Sequence, residues 1–164
     1  MKVYSHQKGV GLMEVLVALL VLAVGVLGFV ALQYRAIEAS SEGEYRIQAI
    51  NVARDLAEKI RINPEGLTTY ASAISSQADA TQDCYTSLCT TNQKATFDAA
   101  QTIDLAQRNG MTINMFECPG VANNRQCIYV SWGDTAAVDA DGLDNCTTDG
   151  VYRPESTCVV MEAY

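Results

Sequence analysis

The chain has one histidine, His6, and none after it. That absence removes the usual general base and the commonest metal ligand from everything beyond the first few residues. No glycine-rich loop follows a strand pattern to cradle a phosphate, and no serine lies in a nucleophile-elbow or Ser-x-x-Lys setting. Paired acids abound, but nothing fixes two of them in a cleft, so the sequence offers catalysis no machinery. Basic residues are scarce as well: from residue 66 onward Lys94, Arg108, Arg125 and Arg153 stand against 12 acids, a net charge of −8 (4 − 12). A surface that tracks nucleic-acid phosphates needs the opposite sign. No cysteine precedes Cys84, and no charge interrupts residues 15–32.

The uncharged run is the strongest signal present. Its 18 residues, at a rise of about 1.5 Å each, cover roughly 27 Å, enough to cross a bilayer core. Lys2 and Lys8 precede it, so the positive-inside bias keeps the first residues cytoplasmic and sends everything after Leu32 outside. These first nine residues have no apolar centre, unlike a secretory signal peptide, whose apolar region lies before the cut. Gly25 and Gly28 weaken the helix by about 1 kcal/mol each, either to let helices pack closely or to let the segment loosen on leaving lipid. Glu14 stands just before the run. A carboxylate near the membrane core costs roughly 2.5 to 3.5 kcal/mol, so Glu14 either snorkels to the headgroups or meets a positive partner.

Helical periodicity continues past the apolar run. Tyr45, Ala49, Val52, Ala53, Leu56, Ala57 and Ile60 fall on one arc, with Asn51, Arg54, Asp55, Glu58 and Arg61 on the other side. One helix is predicted over residues 11–62, stopped by Asn63-Pro64, because the residue before proline is driven out of the α region. The 100 residues from Glu65 make one small domain. Short helical spacing over 67–76 gives way to a polar loop over 75–92, then to a helix over 95–108 ended by Asn109-Gly110. The period then shortens to that of strands over 111–118, 126–132 and 157–164, with residues 120–125 as a polar connector. These runs predict an antiparallel sheet whose apolar face covers the helix, an α+β domain.

All six cysteines lie in that domain, which suits an oxidising compartment and a core in need of staples. Proximity favours Cys84 with Cys89 and Cys118 with Cys127, which leaves Cys146 with Cys158. A metal thiolate site is the competing reading, but the spacings are not those of paired C-x-x-C ligands. Asp134, Asp139, Asp141, Asp144 and Asp149, with Asn145, crowd one segment, and Asp139, Asp141 and Asp144 are candidate oxygen ligands for calcium. Glycine occupies position 142 where an EF-hand pattern wants a spacer, and the glutamate that closes such a loop is missing. The segment reads as a solvated acidic loop.

Lys8-Gly9-Val10-Gly11-Leu12-Met13-Glu14 resembles the prepilin-peptidase site of type IV pilins. The resemblance implies cleavage between Gly9 and Val10, N-methylation of Val10, and Glu14 as the mature residue that pairs with the α-amine of a neighbouring subunit. Within the pilins the chain is similar to the PilV family of minor pilins, the type IV pilus modification proteins. The carrying residues are 10–22, Ala57-Glu58-Lys59-Ile60-Arg61-Ile62-Asn63-Pro64 with Gly66 and Tyr70, Cys84 and Cys89 ahead of Asp98, and Ile128-Tyr129-Val130-Ser131-Trp132.

The similarity implies the type IV pilin fold: a cleaved leader over 1–9, a helix with a membrane half and an amphipathic half over 10–64, and a disulfide-containing globular domain over 65–164. It implies a non-enzymatic role with no cofactor, in which a minor pilin helps prime pilus assembly and forms part of the tip complex, with adhesion and twitching motility as the wider setting. The partners implied are prepilin peptidase, other minor pilins, the major pilin and a tip adhesin. The implied location is the inner membrane and then the pilus, with no nucleic-acid partner. A minor pseudopilin of type II secretion would share everything up to Pro64, and a membrane-tethered periplasmic enzyme is the remaining alternative.

Overall fold

The computed structural model describes residues 11–163 apart from Ala122. They divide into two compact units, one up to Glu42 and one from Gly43 onward. Helix α1 (Leu12–Ile62) runs for 51 residues and supplies all the regular structure of the first unit. Every described residue up to Glu42 is exposed. A helix satisfies its own backbone hydrogen bonds, so it needs no neighbour for that purpose, but its apolar side chains do.

In the second unit α1 presents a stripe to a core. Ala49, Val52, Ala53, Leu56 and Ile60 are buried, at the three- and four-residue spacing that puts side chains on one helix face. Tyr45 stacks on Trp132, with ring centroids 6.5 Å apart. The helix stops at Ile62 and a single 3-10 turn, Pro64–Gly66, reverses the chain into α2 (Leu67–Ser75). At Gly66 an added Cβ would lie 2.8 Å from Asn63 Nδ2 and 3.0 Å from Ala95 Cβ, so the turn packs too closely for a side chain there.

Helix α3 (Thr91–Arg108) begins four residues before the apolar spacing suggests. The cause is a reciprocal cap: Thr90 Oγ1 accepts from the Gln93 N–H, and the Gln93 side chain accepts from the Thr90 N–H at 2.9 Å. The remaining elements are strands β1 (Met111–Glu117), β2 (Gln126–Trp132), β3 (Ala136–Asp139), β4 (Asn145–Thr148), β5 (Val151–Tyr152) and β6 (Cys158–Ala163). The main sheet is antiparallel with order β1-β2-β6, and Ile113 sits opposite Val130, which sits opposite Val159. Met111, Ile113, Met115, Ile128, Val130 and Trp132 join the stripe of α1 in one core.

The other face of the main sheet departs from expectation. The segment read as a solvated acidic loop folds into a second sheet, ordered β3-β4-β5, with β3 and β4 parallel and β4 and β5 antiparallel. Ala137 and Cys146 bury against Tyr129, Cys127 and Cys158, so β2 is covered on both faces. The strands were hidden because each is too short to show alternation. One local signal was present: Asp149 and Gly150, both at positive φ (50° and 76°), form the two-residue turn that joins paired Thr148 and Val151.

A polar cluster ties the three helices together. The Tyr70 hydroxyl donates to Asp98 Oδ2 at 2.8 Å and lies 3.3 Å from the Lys59 carbonyl oxygen. Lys94 Nζ meets the other oxygen of Asp98, which is almost fully buried. Lys59 Nζ donates to Asp55 at 2.7 Å and to Thr102 Oγ1 at 3.1 Å, and the Thr102 hydroxyl donates to the Asp98 carbonyl at 2.9 Å. Burial pushes the Tyr70 phenol well above its ordinary range, and the hydrogen bond and charge of Asp98 push in the same direction.

Tyr70→Phe leaves a buried carboxylate short of a donor and is expected to cost about 1 to 3 kcal/mol, measured by denaturant unfolding of the detergent-solubilised chain. The raised phenol also sets a pH window. Tyr70 contributes fully below its unfolded value near about pH 10 and loses that contribution as pH climbs toward the folded value. Tyr129 is raised as well, first by burial, so the phenylalanine variant should flatten the alkaline fall in stability without removing it.

Candidate functional site

In the first unit, Glu14 occupies the opening turn of α1, where its N–H bonds the Gly11 carbonyl at 2.9 Å. A carboxylate there is favoured by the helix dipole, by about 0.3 to 1 kcal/mol when exposed. Its side chain shares one face with Val15, Ala18, Leu19 and Leu22 and meets no cation among the described residues. Gly9 and Val10, the residues of the expected cut, lie outside the described residues.

Past Glu14 the helix surface is apolar all round. The large hydrophobic side chains from Leu12 to Leu32 are 49–79% exposed. α1 is long and apolar enough to cross a membrane, with a mean hydropathy of 3.1 in its richest window. Water is a poor solvent for such a surface, which calls for lipid or other apolar helices. Gly25 and Gly28 serve no packing among the described residues, since a Cβ added at either would meet nothing within 4 Å. Their missing side chains can matter only to the backbone of α1 or to a neighbouring molecule.

The second unit carries three disulfides. Cys84–Cys89 closes a short loop, Cys118–Cys127 joins the end of β1 to the start of β2, and Cys146–Cys158 fastens β4 to β6. Their Cα separations of 5.6, 5.0 and 5.8 Å are ordinary for bridges. The Asp83 side chain accepts from the Tyr85 N–H at 2.8 Å and from Thr86 Oγ1 at 3.2 Å, so the first loop is held from inside while Leu88 points into solvent.

The calcium candidates are not brought together. Asp139 turns inward, where Oδ1 accepts from the Thr147 hydroxyl and from the Gly150 N–H at 3.0 Å. Asp141 and Asp144 are exposed, and no group of three or more His, Cys, Asp or Glu among the described residues is placed to hold a metal ion. The physical reason is the second sheet, whose β3–β4 pairing spends the Asp139 carboxylate on structure. Nearby, burial raises the Tyr129 phenol, opposed by its hydrogen bond with Thr147 and reinforced by the charge of Asp139. Its ring stacks on Phe116 at 4.3 Å.

Sequence reasoning missed one grouping altogether. Arg54 and Arg61 of α1 and Arg125 before β2 line a common groove with Ala57, Glu58, Met161 and Glu162. Periodicity places the first two on the outer face of α1, but no local signal says that Arg125 joins them.

Residues 4–30 match the family model of the prokaryotic N-terminal methylation motif, and residues 31–100 match the Tt1218-like model, type IV pilin Tt1218. No curated protein and no solved structure matches the chain. The first match takes in Gly9, Val10 and Glu14 and most of the apolar run; the second takes in the stripe of α1, α2 and the Cys84–Cys89 loop.

Asp139→Ala is expected to cost about 1 to 3 kcal/mol by removing the acceptor for two donors. Asp141→Ala and Asp144→Ala should stay within about 0.5 kcal/mol of the parent. Thermal unfolding with and without added calcium checks both statements, and a calcium-dependent rise in the midpoint that all three substitutions abolish would show them to be ligands.

Proposed function

We propose that this type IV pilin-like protein, which carries a prepilin-type methylation motif, works as a minor pilin of the PilV kind. The observation that carries the reading is a helix half with its apolar surface wholly exposed and a single acid, Glu14, at its leading end. In this reading prepilin peptidase cuts between Gly9 and Val10, and the new α-amine of Val10 is methylated. The apolar half of α1 anchors the chain in the inner membrane, with the domain on the far side. Assembly then exchanges lipid for the helices of neighbouring pilins.

Glu14 supplies register for that exchange. Its charge is tolerable near a headgroup layer but costly inside a bundle of apolar helices, unless a cation meets it there. The α-amine of a neighbouring subunit is such a cation, placed by the cut one helical turn before the acid. Glycines 25 and 28 let adjacent helices approach closely. The stapled domain presents the surface that other minor pilins, the major pilin or a tip adhesin contact during priming of the filament. The role is one of packing, and it needs no catalytic group. The match over residues 31–100 to a type IV pilin favours a pilus over a secretion pseudopilus.

Gly9→Val should block processing and leave a precursor heavier by the nine leader residues, read by intact mass of membrane extracts. A mature N-terminus other than Val10 would overturn the processing step. Glu14→Gln should insert into the membrane as well as the parent or better, yet enter pili less. Counting surface pili and cross-linking to other minor pilins in cells that carry only the variant separates the two effects; normal incorporation would show that apolar packing alone suffices.

A further inference from the structure

The second unit distributes its charge unevenly. Residues 66–164 are strongly acidic, and four cations of the helices have an acid one turn away: Lys59 with Asp55, Arg61 with Glu58, Lys94 with Asp98 and Arg108 with Asp104. Arg54, Arg61 and Arg125 converge on a groove of about 500 Å³ between α1 and β6. Ala57 and Met161, both packed against the core, supply apolar surface between them. The basic stripe continues along the same helix face, where Arg46 and Ile50 line the neighbouring hollow with Val159. Residues 46, 50, 54, 57 and 61 follow the four- and three-residue steps of one helix face.

Arg54 has no ion-pair partner among the described residues. Arg61 lies 3.7 Å from Glu58 and Arg125 lies 2.5 Å from Glu162, with all four side chains about half exposed. Exposed ion pairs of this kind are nearly neutral in free energy, so Arg125 can exchange Glu162 for an incoming carboxylate. The backbone edge of β6 is less open, because the Val160 N–H is already capped by the Tyr152 hydroxyl at 2.9 Å. Recognition along this groove therefore falls to side chains.

We propose that the groove between α1 and β6 docks an acidic, extended segment of another protein, whose carboxylates meet Arg54, Arg61 and Arg125. Guanidinium forks match carboxylates in pairs of parallel hydrogen bonds, and a row of them along a helix suits a linear array of acids. From Arg46 to Arg61 the row spans about 22 Å, the reach of roughly seven extended residues. A linear array of acids can pair with the arginines one by one, whereas a continuous anionic surface also meets Glu58 and Glu162 of the same lining. The inference rests on the geometry of the second unit alone and is independent of the pilus reading.

The test uses the full chain in detergent and a fluorescent oligoglutamate peptide, with oligoglutamine of equal length as the comparison and glycerol phosphate as a soluble headgroup probe. Oligoglutamate should bind, with an affinity that falls as salt rises. Arg54→Gln should weaken it about five- to tenfold, and Arg54→Gln with Arg125→Gln further, while Arg108→Gln on α3 changes little. Unchanged near-ultraviolet spectra confirm that the variants remain folded. Equal losses in Arg108→Gln would reduce the effect to net charge and overturn the proposal. So would equal binding of oligoglutamine, no loss in the groove variants, or saturable binding of glycerol phosphate in place of the peptide.

Discussion

Ala49, Val52, Ala53, Leu56 and Ile60 of α1 are withdrawn from water by the shorter helices and the main sheet, and that burial holds the three helices and one face of the sheet together. Fully burying a leucine, isoleucine or valine contributes roughly 1.5 to 3 kcal/mol, so this stripe supplies much of what a domain of this size can spare against its conformational entropy. It also makes α1 serve two solvents. Up to Glu42 its described side chains are exposed, while from Ala49 onward one face has a protein core. A single continuous helix satisfies both demands because its backbone hydrogen bonds are internal throughout.

Around the apolar contact the structure places bonds with direction. Packing alone lets helices slide, whereas the Tyr70, Asp98, Lys94, Thr102, Lys59 and Asp55 cluster accepts only one mutual arrangement of α1, α2 and α3. The disulfides act on the other side of the sheet. Cys118–Cys127 closes the β1–β2 connection and Cys146–Cys158 holds the second sheet against Tyr129. A sheet with strands as short as β5 would have little to hold it otherwise.

The division of labour that results is consistent with a pilin-like protein. The apolar half of α1 is left exposed and carries a single acid at its head. The part that must keep its shape is closed by helices, a second sheet and covalent bridges. Its basic groove lies on the outward side of the same helix whose inward side builds the core, so folding of the domain itself sets the row of arginines in place.

Local order in the chain was sufficient for α1, for its stop at Asn63-Pro64 and for the three strands of the main sheet, because each of these is written as a period or a breaker within a few residues. The apolar run and the Gly9-Val10 to Glu14 spacing likewise point to a membrane-anchored, pilin-like chain without any coordinates. Three things depended on tertiary structure. Residues 136–152 form a sheet because Ala137, Cys146 and Thr147 find Tyr129 and Cys158 to pack against, and the Asp149-Gly150 turn is too small a signal to announce it. Asp139 becomes a structural acceptor because Thr147 and Gly150 come to it. Arg125 joins Arg54 and Arg61 only once β2 has packed across α1. Periodicity reports which face of an element is apolar, but the meeting of residues far apart in sequence is decided by how the faces are brought together.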